Sequence, residues 1–340
     1  MKLLYFGSPE ISAQLLHRLI VDGEHQICAV ISNPDRPKGR SSQPVPTPVS
    51  SRALDAGLPL FRFESLKGEA GQQAFQELKA FDADLAVVFA YGSIIPKAIF
   101  EAPRLGSVNL HGSLLPALRG ASPVQSAILQ GLTTTGWTLQ RLGERMDAGD
   151  ILSTVEIDVD SRETSGELFD RMIPSGVQLV IDSLRRIDDL IASARPQDEA
   201  QATYCSKLRP DDAFISWSDT SEKIHNQIRG MNPAPQARTI TEKGDLILLH
   251  RSALISDEDI AALFPSVDAT SRHALHPGTI CVAKQSGKKR LLARTGSGFL
   301  EILELQLSGR KRMPAHDFLN GSVLADGSRF DGAPDAKQIV

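Results

Sequence analysis

Residues 106–116 read Gly-Ser-Val-Asn-Leu-His-Gly-Ser-Leu-Leu-Pro. The first half of this stretch alternates and predicts a strand, with Val108 and Leu110 on one face. Asn109 and His111 share the other face, because the side-chain period of a strand is two. A glycine and a proline follow, so the chain leaves the sheet there. Polar side chains at the end of a strand mark the place where open α/β sheets bind ligands.

Asp147 begins a turn-rich Asp-Ala-Gly-Asp segment further along the chain. Together, His111, Asn109 and Asp147 could perform acid–base chemistry. A histidine moves a proton near neutral pH, an asparagine donates to a developing oxyanion, and a carboxylate orients the imidazole. Spacing alone favours a structural role for His111. A turn role for Asn109 and a helix-capping or Asx-turn role for Asp147 fit equally well.

The start of the chain predicts a βαβ unit of Rossmann type, with strands over 2–6 and 26–32 around a helix over 11–22. Its first turn contains only Gly7 and no GxGxxG fingerprint, which argues against a dinucleotide site and an oxidoreductase. Residues 84–92 are the most hydrophobic strand, as expected at the centre of a parallel sheet. We therefore predict a doubly wound α/β domain.

Residues 33–48 form a long loop with five prolines and three basic residues, Arg36, Lys38 and Arg40. Loops of this length without secondary structure are uncommon in compact domains and are often functional. Basic side chains on such a loop suit contacts with phosphates. A solvated surface loop fits the composition about as well.

The segment 195–210 is polar and aperiodic, which predicts a linker. Beyond it, short strands and glycine-rich turns predict a small, OB-like β-barrel. Basic residues recur in this part of the chain: Lys284, Lys288, Lys289, Arg290, Arg294, Arg310, Lys311 and Arg312. Small basic barrels often bind RNA, although a solvated rim of charge is the alternative for each residue. We expect residues 256–274 and 323–340 to be mobile.

Length and composition limit the class of protein and the number of domains. The chain has 340 residues, enough for two domains, with 41% hydrophobic and 23% charged residues and a net charge of −4. The three scattered cysteines argue against a disulfide framework and a zinc site, so no metal is expected. The apolar run near the N-terminus is too short for a signal peptide, and no run reaches the roughly 18 apolar residues of a membrane span. The expectation is a cytoplasmic protein with no membrane association.

Four motifs together resemble the signature of the 10-formyltetrahydrofolate-dependent formyltransferases: 109–116, Arg119-Gly120-Ala121, Thr135-Gly136 and 147–150. The resemblance covers about residues 1–322 and implies a Rossmann-like catalytic domain over 1–194 and the barrel over 211–322. We place the linker at 195–210 and a tail, extra to the family pattern, at 323–340. The resemblance implies catalytic roles for Asn109, His111 and Asp147. It implies 10-formyltetrahydrofolate as co-substrate, in a site lined by Ser113, Leu114, Leu115 and Pro116.

Further motifs resemble the branch of this family that acts on initiator methionyl-tRNA in translation initiation: 33–40, 89–92, 228–233 and 276–280. This branch implies formylation of the methionine α-amino group by a monomer, with Arg36, Lys38 and Arg40 on the tRNA acceptor arm. One alternative is formylation of a sugar-nucleotide amino sugar, and another is a non-catalytic RNA-binding protein with a relict folate fold. Trp137, where the family usually has valine, adds bulk near the catalytic strand. Gln140 also departs from the family pattern.

Overall fold

The structure is a computed structural model and describes residues 1–37, 42–265, 268, 270–271, 274–321 and 324–332. The chain divides into two compact units. The first comprises Met1–Ala121, Thr135–Ile157 and Arg171–Cys205, and the second comprises Ser122–Thr134, Asp158–Asp170 and the chain from Ser206 onward. The domain boundaries expected from the sequence remain a prediction.

Regular elements cover most of both units. Within the described residues the strands are, in chain order, β1 (Lys2–Gly7), β2 (Gln26–Ile31), β3 (Arg36–Pro37), β4 (Pro44–Val45), β5 (Leu60–Phe61), β6 (Leu85–Phe89), β7 (Ser107–His111), β8 (Arg119–Gly120), β9 (Thr134–Arg141), β10 (Ile151–Asp158), β11 (Tyr204–Cys205), β12 (Arg238–Thr241), β13 (Leu246–Leu254), β14 (Ile280–Gln285), β15 (Lys288–Arg294), β16 (Phe299–Leu307), β17 (Met313–Pro314) and β18 (Phe330–Asp331). The α-helices with described bounds are α1 (Glu10–Asp22), α2 (Pro48–Asp55), α3 (Gly68–Lys79), α4 (Lys97–Phe100), α5 (Pro123–Leu129), α6 (Ser165–Leu184), α7 (Ile187–Ala192), α8 (Ser221–Gly230), α9 (Asp257–Leu263) and α10 (Ala315–Phe318).

The first unit is built on a twisted sheet with the strand order β10-β9-β7-β6-β1-β2-β5. Strands β5, β2, β1, β6 and β7 run parallel, whereas β9 runs antiparallel to β7. Every residue of β6 is buried, as its hydrophobic sequence predicts for a central strand. The predicted Rossmann-like fold is therefore confirmed. Because β6 and β7 are parallel, with Val88 opposite Asn109, their carboxyl ends lie at one edge of the sheet.

The second unit is an antiparallel sheet with the strand order β14-β15-β16-β13-β12-β18, to which β17 adds beside β16. The amide of Ile280 donates to the carbonyl of Ser328 at 2.8 Å, and the amide of Phe330 donates to that of Gly278 at 2.9 Å. These bonds join the chain at β14 to the chain at β18, so the sheet curls round on itself. The predicted small OB-like barrel is confirmed in this form.

Two segments expected to be mobile are partly ordered. Residues 324–332 include β18, and Phe330 is buried and stacks on Trp217 with ring centroids 5.2 Å apart. In the segment 256–274, α9 buries Ile260 against the barrel strands. The polar composition of both segments concealed the apolar residues that hold them, which include Leu263 beside Ile260 and Leu324 beside Phe330. Lys38, Arg40 and the last residues of the expected tail lie outside the described residues.

Two histidines are buried in the second unit. His225 Nδ1 lies 2.9 Å from the Ser252 hydroxyl, and its Nε2 lies 3.0 Å from the carbonyl of Ser161. His250 is flanked by the amide side chains of Gln236 and Gln306. Burial lowers the pKa of both imidazoles, so each packs as a neutral ring.

Candidate active site

The carboxyl end of β7 places His111 and Asn109 on one face of the first sheet. In the antiparallel register with β9, His111 lies opposite Thr138 and Asn109 lies opposite Gln140. Side chains directly opposite each other in such a pair share a face. His111 is only 5% exposed, whereas Asn109 is half-buried. The predicted strand and the shared face are therefore present.

His111 is fixed by its two ring nitrogens. Nε2 lies 3.0 Å from the carbonyl oxygen of Leu118, and Nδ1 lies 3.5 Å from Oδ1 of Asp147. A carbonyl oxygen can only accept, so Nε2 carries a hydrogen. In the neutral ring Nδ1 is then the free base, and it faces the carboxylate. The structure thus brings together the histidine and the aspartate that the sequence singled out.

Asp147 is held in place from its own turn and from β8. Its backbone is left-handed, with φ 51°. Its Oδ2 accepts from the amide of Gly120 at 2.9 Å, and its Oδ1 accepts from Gln140 Nε2 at 3.1 Å. Gly149 in the same turn must be a glycine, because a Cβ there would lie 1.8 Å from the carbonyl oxygen of Arg141. The carboxylate is therefore aimed by backbone packing as well as by hydrogen bonds.

Asn109 completes the set with an unused amide. Among the described residues its side chain makes no hydrogen bond, and it stands two residues before His111 on the same strand face. A half-buried free amide is a donor available to a ligand oxygen.

The loop after β7 is rigid, and its four predicted folate-contacting residues differ in access. The Thr138 hydroxyl donates to the carbonyl of Ser113 at 2.7 Å and accepts from the amide of Leu115 at 3.0 Å. The Ser113 hydroxyl donates to the carbonyl of Ala117 at 2.6 Å. Ser113 and Leu115 are buried, so their side chains support the loop, while Leu114 and Pro116 remain partly accessible.

The basic loop lies partly within the described residues. Arg36 belongs to the short hairpin β3–β4, is 70% exposed, and pairs with Glu64 at 2.7 Å. A cavity of about 780 Å³ lies beside this hairpin, where β1, β2 and β6 end, and its lining includes Ser8, Asn33 and Tyr91. The cavity and His111 therefore belong to the same carboxyl edge of the sheet.

Sequence reasoning missed a second group of polar residues around Asp147. The segment 195–210, expected to be a linker, contains β11, which pairs with β8. Gln197 in this segment donates to the carbonyls of Asp147 and Gly149 and accepts from Arg119. The sequence identifies Arg119 only as part of a motif. The signal available in the sequence was Gln140. It is a polar residue two positions after Thr138, on the same face of the predicted strand, and it departs from the family pattern.

Arg119 is a buried cation with an anionic partner. It is 1% exposed and pairs with Glu199 at 3.0 Å. This hydrogen-bonded pairing raises the pKa of Arg119 and lowers the pKa of Glu199. Arg145 and Tyr204 also contact the pair. The region beside Asp147 thus contains a fixed positive charge that is paired with a carboxylate.

Metal-binding clusters and membrane-spanning helices are absent from the described residues. In those ranges no three or more histidine, cysteine, aspartate and glutamate side chains are grouped to hold a metal ion. No helix in the part of the chain that the structure describes is long and apolar enough to cross a membrane.

Comparison with known proteins gives matches over nearly the whole chain. Residues 1–184 match the formyl transferase family, and residues 207–323 match the formyl transferase C-terminal domain. A methionyl-tRNA formyltransferase of Leptospira interrogans is 43% identical over 332 residues, covering 97% of this chain and 100% of the relative. One from Acidobacterium capsulatum is 38% identical over 330 residues, covering 97% and 99%.

A solved structure shares the fold. The N-formyltransferase from Helicobacter canadensis, in complex with folinic acid and dTDP-3-aminofucose, aligns with a TM-score of 0.60 and 18% identity, over 89% of this chain and 98% of that one. The motifs around Asn109, His111 and Asp147, the two-unit architecture and the matches over both halves agree: the chain belongs to the formyl transferase family.

Proposed function

We propose that the protein transfers the formyl group of 10-formyltetrahydrofolate to the α-amino group of methionine esterified to initiator tRNA, in the cytoplasm and as a monomer. The observation that carries the proposal is the pairing of His111 with Asp147 beside the free amide of Asn109. This set occurs in a chain similar, over nearly its full length, to methionyl-tRNA formyltransferases.

Each catalytic side chain has a role set by its atoms. Asn109 donates to the formyl oxygen, where negative charge develops as the amine adds to the formyl carbon. His111 Nδ1 accepts the proton that the amine loses, and Asp147 stabilises the imidazolium that results. His111 then returns a proton to the folate nitrogen as its bond to the formyl carbon breaks. The partly accessible Leu114 and Pro116 offer apolar contact to the folate ring, while the buried Ser113 and Leu115 hold the loop.

The tRNA is the larger substrate and requires cationic surfaces. Arg36, together with Lys38 and Arg40, is proposed to contact the acceptor arm beside the cavity at the carboxyl edge. On the barrel the structure separates two kinds of basic residue. Arg290, Arg294 and Arg312 bond to nearby carboxylates or carbonyls of the barrel. Lys284, Lys288 and Lys311 are exposed and have no ion-pair partner among the described residues, so they are available to phosphates.

The deciding experiment measures formyl transfer from 10-formyltetrahydrofolate to methionyl-tRNA, with a nucleotide-linked amino sugar as the competing acceptor. We expect formylmethionyl-tRNA and no formylated sugar. His111→Ala should abolish transfer while tRNA affinity stays within a few-fold. Formylation of the sugar alone would refute the proposed acceptor. Turnover by His111→Ala would refute the role of His111.

A further inference from the structure

The buried guanidinium of Arg119 fixes the orientation of a neighbouring amide. Arginine has donors only and stays charged. Arg119 Nε and Nη2 lie 3.0 and 2.9 Å from Gln197 Oε1. The oxygen of the Gln197 amide must therefore face Arg119, and its NH₂ group must point away.

The same orientation is required on the other side of Gln197. Its Nε2 lies 2.9 Å from the carbonyl oxygen of Asp147 and 2.7 Å from that of Gly149, and both atoms can only accept. The NH₂ group has two hydrogens, so the 3.3 Å approach to Gln140 Oε1 is the weakest of its three contacts. Gln197 thus ties the turn at 147–149 to Arg119.

Gln140 carries this polarity to the carboxylate. Its Oε1 faces the Gln197 NH₂ group, so its own NH₂ group faces Asp147 and donates to Oδ1 at 3.1 Å. That oxygen is the one 3.5 Å from His111 Nδ1. The other oxygen, Oδ2, accepts from the amide of Gly120, next to Arg119 in the chain. Both carboxylate oxygens are therefore held by donors, one from β9 and one from β8.

We propose that Gln140 and Gln197 are positioning residues for the catalytic carboxylate. With Arg119 they form a relay of polar contacts, in which the orientation of each amide group is set from a permanent cation at one end and Gln140 donates to Asp147 Oδ1 at the other. The relay fixes the orientation of the carboxylate and its distance from His111. This inference rests on the proposed catalytic role of Asp147.

Other charged groups lie at the Arg119 end of the relay, where two arginines share one carboxylate. Arg119 is paired with Glu199, which Arg145 also contacts, and the Tyr204 hydroxyl lies 3.3 Å from Arg119 Nη1. On the other side only His111 approaches Asp147 among the titratable groups described in its contacts. A change of polarity within the relay therefore acts on Asp147 and His111 directly.

The test replaces a glutamine amide by a carboxylate of nearly the same shape, so that a hydrogen-bond donor becomes an acceptor. Gln140→Glu places a second carboxylate beside Asp147, where Gln140 donates in the parent protein. We expect kcat for formyl transfer to fall about a hundredfold, as for a misplaced catalytic group. KM for both substrates should stay within about threefold of the parent value, because the Gln140 side chain is buried. The acid limb of the pH–rate profile should move to higher pH, since two adjacent carboxylates resist full ionisation.

A matched control and a second variant keep the test decisive. Gln72→Glu makes the same change on an exposed face of α3 and should leave kcat and the pH profile unchanged. Gln197→Glu keeps an acceptor toward Arg119 but removes both donors to the turn, so it should lower kcat in the same way. Parent-like kcat and pH profile in both relay variants, confirmed folded by thermal melting, would overturn the proposal. So would a loss of activity that tracks a loss of melting temperature with an unmoved pH profile.

Failure of the relay can be told apart from failure of the proposed function by Asp147→Asn. An active Asp147→Asn enzyme refutes the catalytic role of Asp147. An inactive Asp147→Asn enzyme combined with fully active Gln140→Glu and Gln197→Glu variants refutes the relay alone.

Discussion

Leu118 determines which nitrogen of His111 is basic, although its contribution is only a backbone carbonyl. Because that oxygen holds the hydrogen on Nε2, the proton-accepting atom faces Asp147 before any substrate binds. When Nδ1 carries no proton, the ring and the carboxylate present two acceptors 3.5 Å apart. In the proposed mechanism, a proton that arrives from the attacking amine satisfies both acceptors.

Asn109 is predicted to matter for the rate and not for stability. Asn109→Ala removes one oxyanion donor, which typically costs about 10²–10³ in kcat. Its amide makes no hydrogen bond among the described residues, so the melting temperature should hardly change. Single-turnover formyl transfer and calorimetry measure the two effects. A large drop in melting temperature with a normal rate would contradict the proposed role.

At the scale of single elements, Trp137 in β9 fills the side of the sheet away from Asn109 and His111. Its neighbour Thr138 lies opposite His111, and successive residues of a strand point to opposite faces. The indole donates to the carbonyl of Met172 at 2.8 Å and packs edge-on against Phe89. The bulk that departs from the family pattern is therefore accommodated by α6.

Gly176 in α6 provides the space for Trp137. Replacing a helical glycine by alanine normally stabilises a helix by about 1 kcal/mol. Here the added Cβ would lie 2.8 Å from the indole ring, so Gly176→Ala should destabilise the protein by about 1–3 kcal/mol. Denaturant unfolding of Gly176→Ala, Trp137→Val and the double variant forms a cycle in which the second change relieves the first. A stabilising Gly176→Ala would show that the contact is not strained.

Over the whole molecule, local sequence patterns predicted the helices and strands well. They did not predict contacts between residues that are distant in the chain. The helix predicted over 11–22 is present as α1, because the signals that define a helix lie within one short segment. The strand at 107–111 and its polar face were also predictable, because the alternating pattern lies within the strand itself. The bond between Arg119 and Gln197 joins residues far apart in the chain, and nothing in a polar segment without periodicity indicates its partner. The ordered chain at 324–332 escaped for the same reason.

The barrel's free lysines should set the salt dependence of tRNA binding. Removing one lysine that binds a phosphate reduces the slope of log affinity against log salt by about 1. The variant Lys284→Ala/Lys288→Ala is therefore expected to reduce the slope by about 2, whereas Lys243→Ala, in the exposed turn after β12, should not change it. Filter binding of initiator tRNA at several salt concentrations gives the slopes. An affinity of the parent protein unchanged from low to high salt would refute phosphate contacts altogether.

The buried histidines give the second unit a limited tolerance of acid. Burial lowers the folded-state pKa of His225 and His250 below the ordinary value of 6.5, so the unfolded chain takes up protons first as the pH falls. Stability is therefore complete above about pH 6.5 and declines below it. Unfolding followed from pH 8 to pH 5 should show this loss, and His225→Gln should reduce it. A stability independent of pH in that range would contradict it. If the prediction holds, mild acidification lowers the stability of the unit proposed to bind tRNA.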